Sequence, residues 1–169
     1  MRPTGTGITV TIFWLAALTR TAAAVEAPVA EAVMRHDHEA VHALLDAGAD
    51  ANAALGDGMT GLHWAALHGD VDITRLLLDA GARIETTTRL GSHTPLHVAS
   101  RSARAEVART LLEAGANPLA VTTTGATPLH FAAQAGRPST IKALLEHGAP
   151  PDPREPVWGQ TPLMFAAAA

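Results

Sequence analysis

From residue 28 onward, apolar positions recur in two alternating rhythms. Short clusters such as Leu96, Val98 and Ala99 follow a Thr-Pro start, and leucine pairs such as Leu76 and Leu77, one turn after Ile73, follow a turn. Each rhythm is too short for a long helix, but each places its apolar residues on one helical face. Polar stretches rich in turn formers, for example residues 82–93, separate one leucine pair from the next cluster. The pattern predicts a short helix, a tight turn, a second helix and a loop, then the same again. The clusters open as "TGLHWAALHGD" at Thr60, "TPLHVASRSAR" at Thr94, "TPLHFAAQAGR" at Thr127 and "TPLMFAAAA" at Thr161, at intervals of 34, 33 and 34 residues. The leucine pairs run in step, and the glycines that follow them, Gly48, Gly81, Gly115 and Gly148, are 33, 34 and 33 apart. A fixed period near 33 means stacked supersecondary units, each burying its apolar stripe against its neighbours.

The residues of one unit account for its shape. Thr94 is suited to the N-cap and Pro95 to the first helical position, where a missing N–H is harmless. Alanines such as Ala65, Ala66, Ala132 and Ala133 let neighbouring helices approach closely. Gly69 and Gly136 supply the left-handed turn between helices, and the glycine of each Ala-Gly-Ala or His-Gly-Ala ending supplies the C-terminal stop. The units are expected at about 28–59, 60–93, 94–126 and 127–160, with a partial unit at 161–169. The first has no Thr-Pro start and carries Glu31, Arg35 and Asp37, as suits a solvated cap.

These phrases resemble the ankyrin repeat over about residues 28–169. The resemblance implies an all-α solenoid of stacked helix-turn-helix units joined by β-hairpin-like loops. It also implies that His63, His97 and His130 hydrogen-bond locally and steady the hairpins. Departures are local: Gly61 replaces proline, Met164 replaces histidine, and His36 and Ala103 stand where the inter-helix glycine is expected. One extra residue lies between Gly91 and Thr94 and another between Asp152 and Gly159. In such stacks the hairpin tips and first-helix ends line a concave groove that meets another protein. Here they are Leu55, Asp57 and Met59; Arg89, Leu90 and His93; Thr122, Thr124 and Ala126; Val157, Trp158 and Gln160; with Leu67, His68, Arg101, Ser102, Gln134 and Ala135 at the helix ends. Trp158 is the best anchor candidate, since Trp is a frequent hot spot; packing against Pro153 or Pro156 is the alternative. Trp64 and Phe131 read as stack core.

Composition narrows the chemistry. The chain is 47% hydrophobic but only 4% aromatic, which suits closely packed short helices. A net charge of −4, with Lys142 the one lysine and the arginines scattered, argues against a nucleic-acid surface. Without cysteine there is no disulfide, thiolate site or cysteine nucleophile. Neither a phosphate-binding glycine loop nor a G-x-S-x-G elbow is present. Asp46, Asp79, Glu113 and Glu146 recur at one place in the period, marking a solvated face. His36, His38 and His42 are close in sequence, but zinc needs three or four converging ligands and no further ligand completes a set. The expectation is a non-catalytic protein-binding module without cofactor or metal, monomeric at full length. The alternatives are the binding segment of a larger enzyme or regulator, and a histidine-based metal binder.

The two ends differ from the middle. Arg2, the apolar run Ile8–Leu18 and Ala22-Ala23-Ala24 follow the order of a secretory signal peptide, with cleavage after Ala24 expected. The apolar run is too short to span a bilayer stably. This places the mature chain in the periplasm or outside the cell; a leader on a cytoplasmic protein is the alternative. At the other end, residues 161–169 supply only the first part of a unit and are uncharged, which leads to the expectation of a longer array.

Overall fold

The computed structural model describes residues 27–169. Among these residues nine helices follow one another: α1 (Pro28–Met34), α2 (His38–Asp46), α3 (Gly61–His68), α4 (Val71–Asp79), α5 (Pro95–Arg101), α6 (Ala105–Glu113), α7 (Pro128–Gln134), α8 (Pro138–Glu146) and α9 (Pro162–Ala167). The odd-numbered helices stack in one layer, α1 on α3, α3 on α5, α5 on α7 and α7 on α9. In the second layer α4 packs on α6 and α6 on α8, and each helix of a pair also packs on its partner. Loops reach forward from the second helix of one pair to the first helix of the next. Among the described residues the only β pairing is an isolated antiparallel bridge between Ala54 and Thr60.

One apolar cluster runs the length of the stack. The first helices contribute Leu62, Leu96 and Leu129, and the second Leu77, Leu111 and Leu144, all buried. Burying each leucine is worth about 1.5–3 kcal/mol. Between them lie Ala65, Ala66, Ala99 and Ala132, whose small side chains set the close helix spacing. No helix exceeds nine residues, so isolated units would be marginal and the stack supplies their stability.

The turn chemistry is regular even where the sequence departs from it. In the loop after α2, the Gly48 amide donates to the Leu45 carbonyl and the Ala49 amide to the Leu44 carbonyl, closing a Schellman motif around a left-handed glycine. The same pair of bonds recurs at Gly81, Gly115 and Gly148. Between the helices of a unit, His36 and Ala103 adopt φ of 58° and 59° where other units use Gly69 and Gly136 at 83° and 64°. The geometry is preserved, at a cost of about 1–2 kcal/mol per non-glycine residue. The additional residue before Thr94 is absorbed by Ser92, left-handed at φ 52° beside Gly91.

Candidate functional site

Each hairpin-like loop closes on itself through main-chain bonds. The amides of Leu55, Thr88, Thr122 and Glu155 donate to the carbonyls of Met59, His93, Ala126 and Gln160. Neighbouring loops are then tied together. The Arg89 amide donates to the Asp57 carbonyl at 2.9 Å and the Thr123 amide to the Gly91 carbonyl at 3.0 Å. A Cβ on Gly58 would lie 2.7 Å from the Arg89 nitrogen, and one on Gly125 would collide with Pro156. Glycine is needed at both places because the loops touch. The four tips therefore form one continuous ridge.

Histidine fixes the ridge to the helices. The Thr94 amide and hydroxyl donate to His97 Nδ1 at 3.2 and 2.9 Å, and His97 Nε2 donates to the Ala126 carbonyl at 3.2 Å. His63 bridges Thr60 and the His93 carbonyl in the same way, and His130 bridges Thr127 and the Gln160 carbonyl. These three histidines are fully buried. The reading of a purely local bond is thus too narrow: each imidazole joins its own helix start to the hairpin that follows one period later. Two acceptances at Nδ1 and one donation at Nε2 require the neutral ring. Burial pushes His97 down to about 4, against a smaller upward pull from the Ala126 carbonyl. His63 is lowered by burial too. Met164 lacks an imidazole, although Thr161 still accepts its amide at 3.5 Å.

The structure gathers six of the sequence-derived groove residues around one cleft. Asp57, Met59, Leu67, Leu90, His93 and Arg101, with Thr88 and Val98, line a volume of about 240 Å³ between the first two hairpins and the ends of α3 and α5. Its floor is apolar, and Asp57 and Arg101 place opposite charges at the rim. His93 is lowered by burial, with Arg101 pushing in the same direction and the Leu90 carbonyl opposing. Arg89 and Leu90 are exposed on the flanking tip.

The other expected positions divide. Thr124, Gln134 and Val157 are exposed; Leu55, Ser102, Ala135 and Gln160 are partly buried. Thr122 and Ala126 are corrections, because both are buried inside their hairpin. The Thr122 hydroxyl accepts the Ala126 amide at 3.1 Å, so this threonine builds the loop instead of facing a partner. Trp158 is 71% exposed, which sets aside packing under Pro153 or Pro156. Its loop is held by Glu155, a buried carboxylate that accepts the amides of Val157, Trp158 and Gln160 at 2.7, 2.8 and 2.9 Å. Burial raises Glu155, but those amides outweigh it and leave the group below the usual carboxylate range. The role of Glu155 went unread in the sequence; the turn residues that follow it were its only signal.

The clustered N-terminal histidines go separate ways. His38 Nε2 meets the Asp70 carboxylate at 2.7 Å, while the His36 ring stacks on that of His68 with centroids 3.6 Å apart. His42 is exposed on α2. Among the described residues, no group of three or more histidines, aspartates and glutamates is arranged to hold a metal ion. Nor is any helix long and apolar enough to cross a membrane. The expected signal segment, residues 1–24, lies outside the described residues.

A stack of paired short helices, with forward-reaching hairpins bridged by buried histidines, defines a helical repeat protein. The family described as ankyrin repeats (3 copies) matches residues 29–122 and 117–169. The chain belongs to the ankyrin-repeat family. Among similar proteins, Protein PhlB of Serratia liquefaciens is 45% identical over 86 residues, covering 51% of this chain and 38% of that one. A Caenorhabditis elegans homolog of transient receptor potential cation channel subfamily A member 1 is 49% identical over 59 residues, 35% of this chain and 5% of the channel. Palmitoyltransferase Hip14 of Drosophila melanogaster is 35% identical over 78 residues, 46% of this chain and 12% of the transferase. The chain thus spans well under two thirds of each of these relatives.

Proposed function

We propose that this chain is a non-catalytic protein-interaction module that grips its partner along the hairpin ridge and the groove beside it. The cleft walled by Asp57, Met59, Leu67, Leu90, His93 and Arg101 carries the reading. It offers an apolar floor with one charge of each sign at its rim, on a scaffold whose backbone is already fixed. Little ordering is then required on binding. The relatives support the same reading, since similar segments occur within proteins as unlike as a channel homolog and a palmitoyltransferase. No step of bond chemistry is assigned to the groove, because the imidazoles at its back are engaged in frame hydrogen bonds.

Leu90→Asp and Arg101→Glu test the groove. Both are expected to abolish capture of a partner isolated with the native chain, while leaving the urea midpoint within experimental error. Arg75→Ala, on the second-helix side, is expected to leave capture intact. Capture lost only with Arg75→Ala would move the site to the convex face. We further propose export, supported by the order Arg2, Ile8–Leu18, Ala22–Ala24. Intact mass of the protein from its source cell is expected to begin at Val25; residues 1–24 retained in a cytoplasmic pool would refute it.

A further inference from the structure

Charge is divided between the two faces of the stack. Residues 86–105, which hold the second hairpin and the whole of α5, carry Arg89, Arg101 and Arg104 and no acidic residue. Residues 114–137, with the third hairpin and α7, carry Arg137 and again no acidic residue. The acids of the same stretch of stack stand on the second helices, Asp72 and Asp79 on α4 and Glu106 and Glu113 on α6. Glu85, in the loop after α4, is committed to the frame, where its carboxylate accepts the Asn117 amide at 2.9 Å. A chain of net charge −4 thus turns a positive face to the hairpin side. The cations differ in their partners as well. Arg109 and Lys142, both on second helices, reach Glu146 at 3.7 Å. Arg89, Arg101 and Arg104 are exposed, and among the described residues no carboxylate lies within ion-pair distance of them.

Scattered in sequence, these three arginines are gathered by the fold around the cleft between the first two hairpins. Arg101 forms part of its wall. Arg89 adjoins Leu90 of the cleft, and its amide is tied to the Asp57 carbonyl at 2.9 Å. Arg104 reaches back to the preceding unit, where its Nε donates to the Leu67 carbonyl at 3.1 Å. Its stem lies over Gly69, at which a Cβ would come within 2.7 Å of the Arg104 Cδ. Glycine in this turn therefore makes room for Arg104 and lets its guanidinium settle beside Leu67. On the opposite rim the Asp57 carboxylate accepts the Met59 amide at 2.8 Å, which occupies part of its charge. The cleft is an apolar space with two cationic groups on the α5 side, one acid across from them and a further cation on the tip. Both flanks belong to complete units in the middle of the stack.

We propose that the occupant of this cleft is an acidic segment of another protein that inserts one large apolar side chain between Leu67 and Leu90. Carboxylates beside that side chain pair with Arg101 and Arg104, whose planar forks match them. Arg89 and Arg137 extend the positive field along the hairpin side and steer the segment towards it. Asp57 sets the direction, because an acid placed against the first hairpin would be repelled. The chain's own leading residues do not supply such a segment, since residues 1–25 hold Arg2 and Arg20 and no acid. The inference rests on the groove being the binding surface and adds the chemistry of what it binds.

The probe is a labelled peptide with a central phenylalanine flanked on both sides by glutamates, and its anisotropy is followed on titration with the full chain. Saturable binding is expected, weakened about fivefold by Arg101→Glu and by Arg104→Glu. Arg75→Glu makes the same change of net charge on α4 and is expected to leave binding unchanged. Affinity should fall several-fold between about 50 and 300 mM NaCl, and the same peptide with lysines for glutamates should not bind. Circular dichroism reports whether each variant remains folded. No binding of the acidic peptide up to about 1 mM, or equal weakening by Arg75→Glu, overturns the proposal. Acidic and basic peptides bound equally well, and both lost with Leu90→Asp, overturn the acidic assignment while the groove itself stands. Acidic-peptide binding indifferent to both Leu90→Asp and Arg101→Glu removes the groove as well. A single-stranded oligonucleotide bound more tightly through the same arginines makes the partner a nucleic acid, and self-association reversed by Leu90→Asp makes it a second copy; either result overturns the proposal.

Discussion

Replacing His97 by leucine tests the bridge between helix starts and hairpins. The substitution removes the acceptor of the Thr94 amide and hydroxyl and the donor to the Ala126 carbonyl, all in a buried site. A buried group left without its partner costs about 1–3 kcal/mol, so a total loss of about 3 kcal/mol is expected at pH 7.5. The acid side gives a second, independent reading. His97 is displaced from 6.5 to about 4, so between these values the unfolded chain binds a proton that the folded chain refuses. Stability contributed by the neutral ring is then complete above 6.5 and declines as pH falls towards 4. At pH 5 the unmodified chain has lost about 2 kcal/mol from this residue. His97→Leu has no ring to titrate, so the gap between the two proteins should narrow from about 3 to about 1 kcal/mol. Urea melts by far-UV circular dichroism at both pH values, with equal slopes, measure the gap. Some acid sensitivity remains in the variant because His63 is also lowered. A gap that stays constant between pH 7.5 and 5 would show that His97 is not held neutral by the fold.

Leu111→Ala, in the centre of the stack, is expected to lose about 2–5 kcal/mol, and Thr124→Ala at an exposed tip to stay within about 0.5 kcal/mol; equal losses in urea melts would contradict the register. The Thr140 hydroxyl is buried without a partner, at the place where the second helices of other units carry Ile73 and Val107. Thr140→Val should therefore raise stability by about 1 kcal/mol, and a lower midpoint would mean that the hydroxyl has a partner. Glu155→Ala removes the acceptor shared by three amides, and amide exchange at Val157 and Trp158 should accelerate while exchange in α5 and α6 is unchanged. Unchanged exchange at the tip would remove Glu155 from its positioning role.

The architecture was legible because the period is written in side chains: the Thr-Pro starts, the leucine pairs and the glycines each recur in register. Even His36 and Ala103 could be placed in the turn, since the period carried through the other units fixed their position. The histidine bridges were only half legible. Their Thr partners are three residues away in sequence, but the far acceptors are main-chain carbonyls of His93, Ala126 and Gln160, which leave no residue-type signature. Within the groove, Leu90 and Arg101 were identified by their place in the unit, whereas Thr122 was not distinguishable from Thr124. Two residues apart in a tight hairpin, one threonine is buried and closes the loop, and the other is exposed with its hydroxyl 3.0 Å from the first. Trp158 illustrates the same limit, because nearby prolines suggest a packing surface and only the Glu155 anchor shows the tip held away from it.

The way the hairpins are fastened separates two kinds of change to which the chain is open. Joints between neighbouring loops run through main-chain atoms of Asp57, Arg89, Gly91 and Thr123, and none requires the side chains at the exposed tips. Leu90 and Trp158, exposed at their tips, can thus be exchanged with little penalty to folding, whereas the Asp57 carboxylate accepts the Met59 amide at 2.8 Å and the Thr124 hydroxyl meets that of Thr122 at 3.0 Å. The exposed tip positions are in this sense interchangeable letters on a fixed line, and a change of surface chemistry needs no new scaffold.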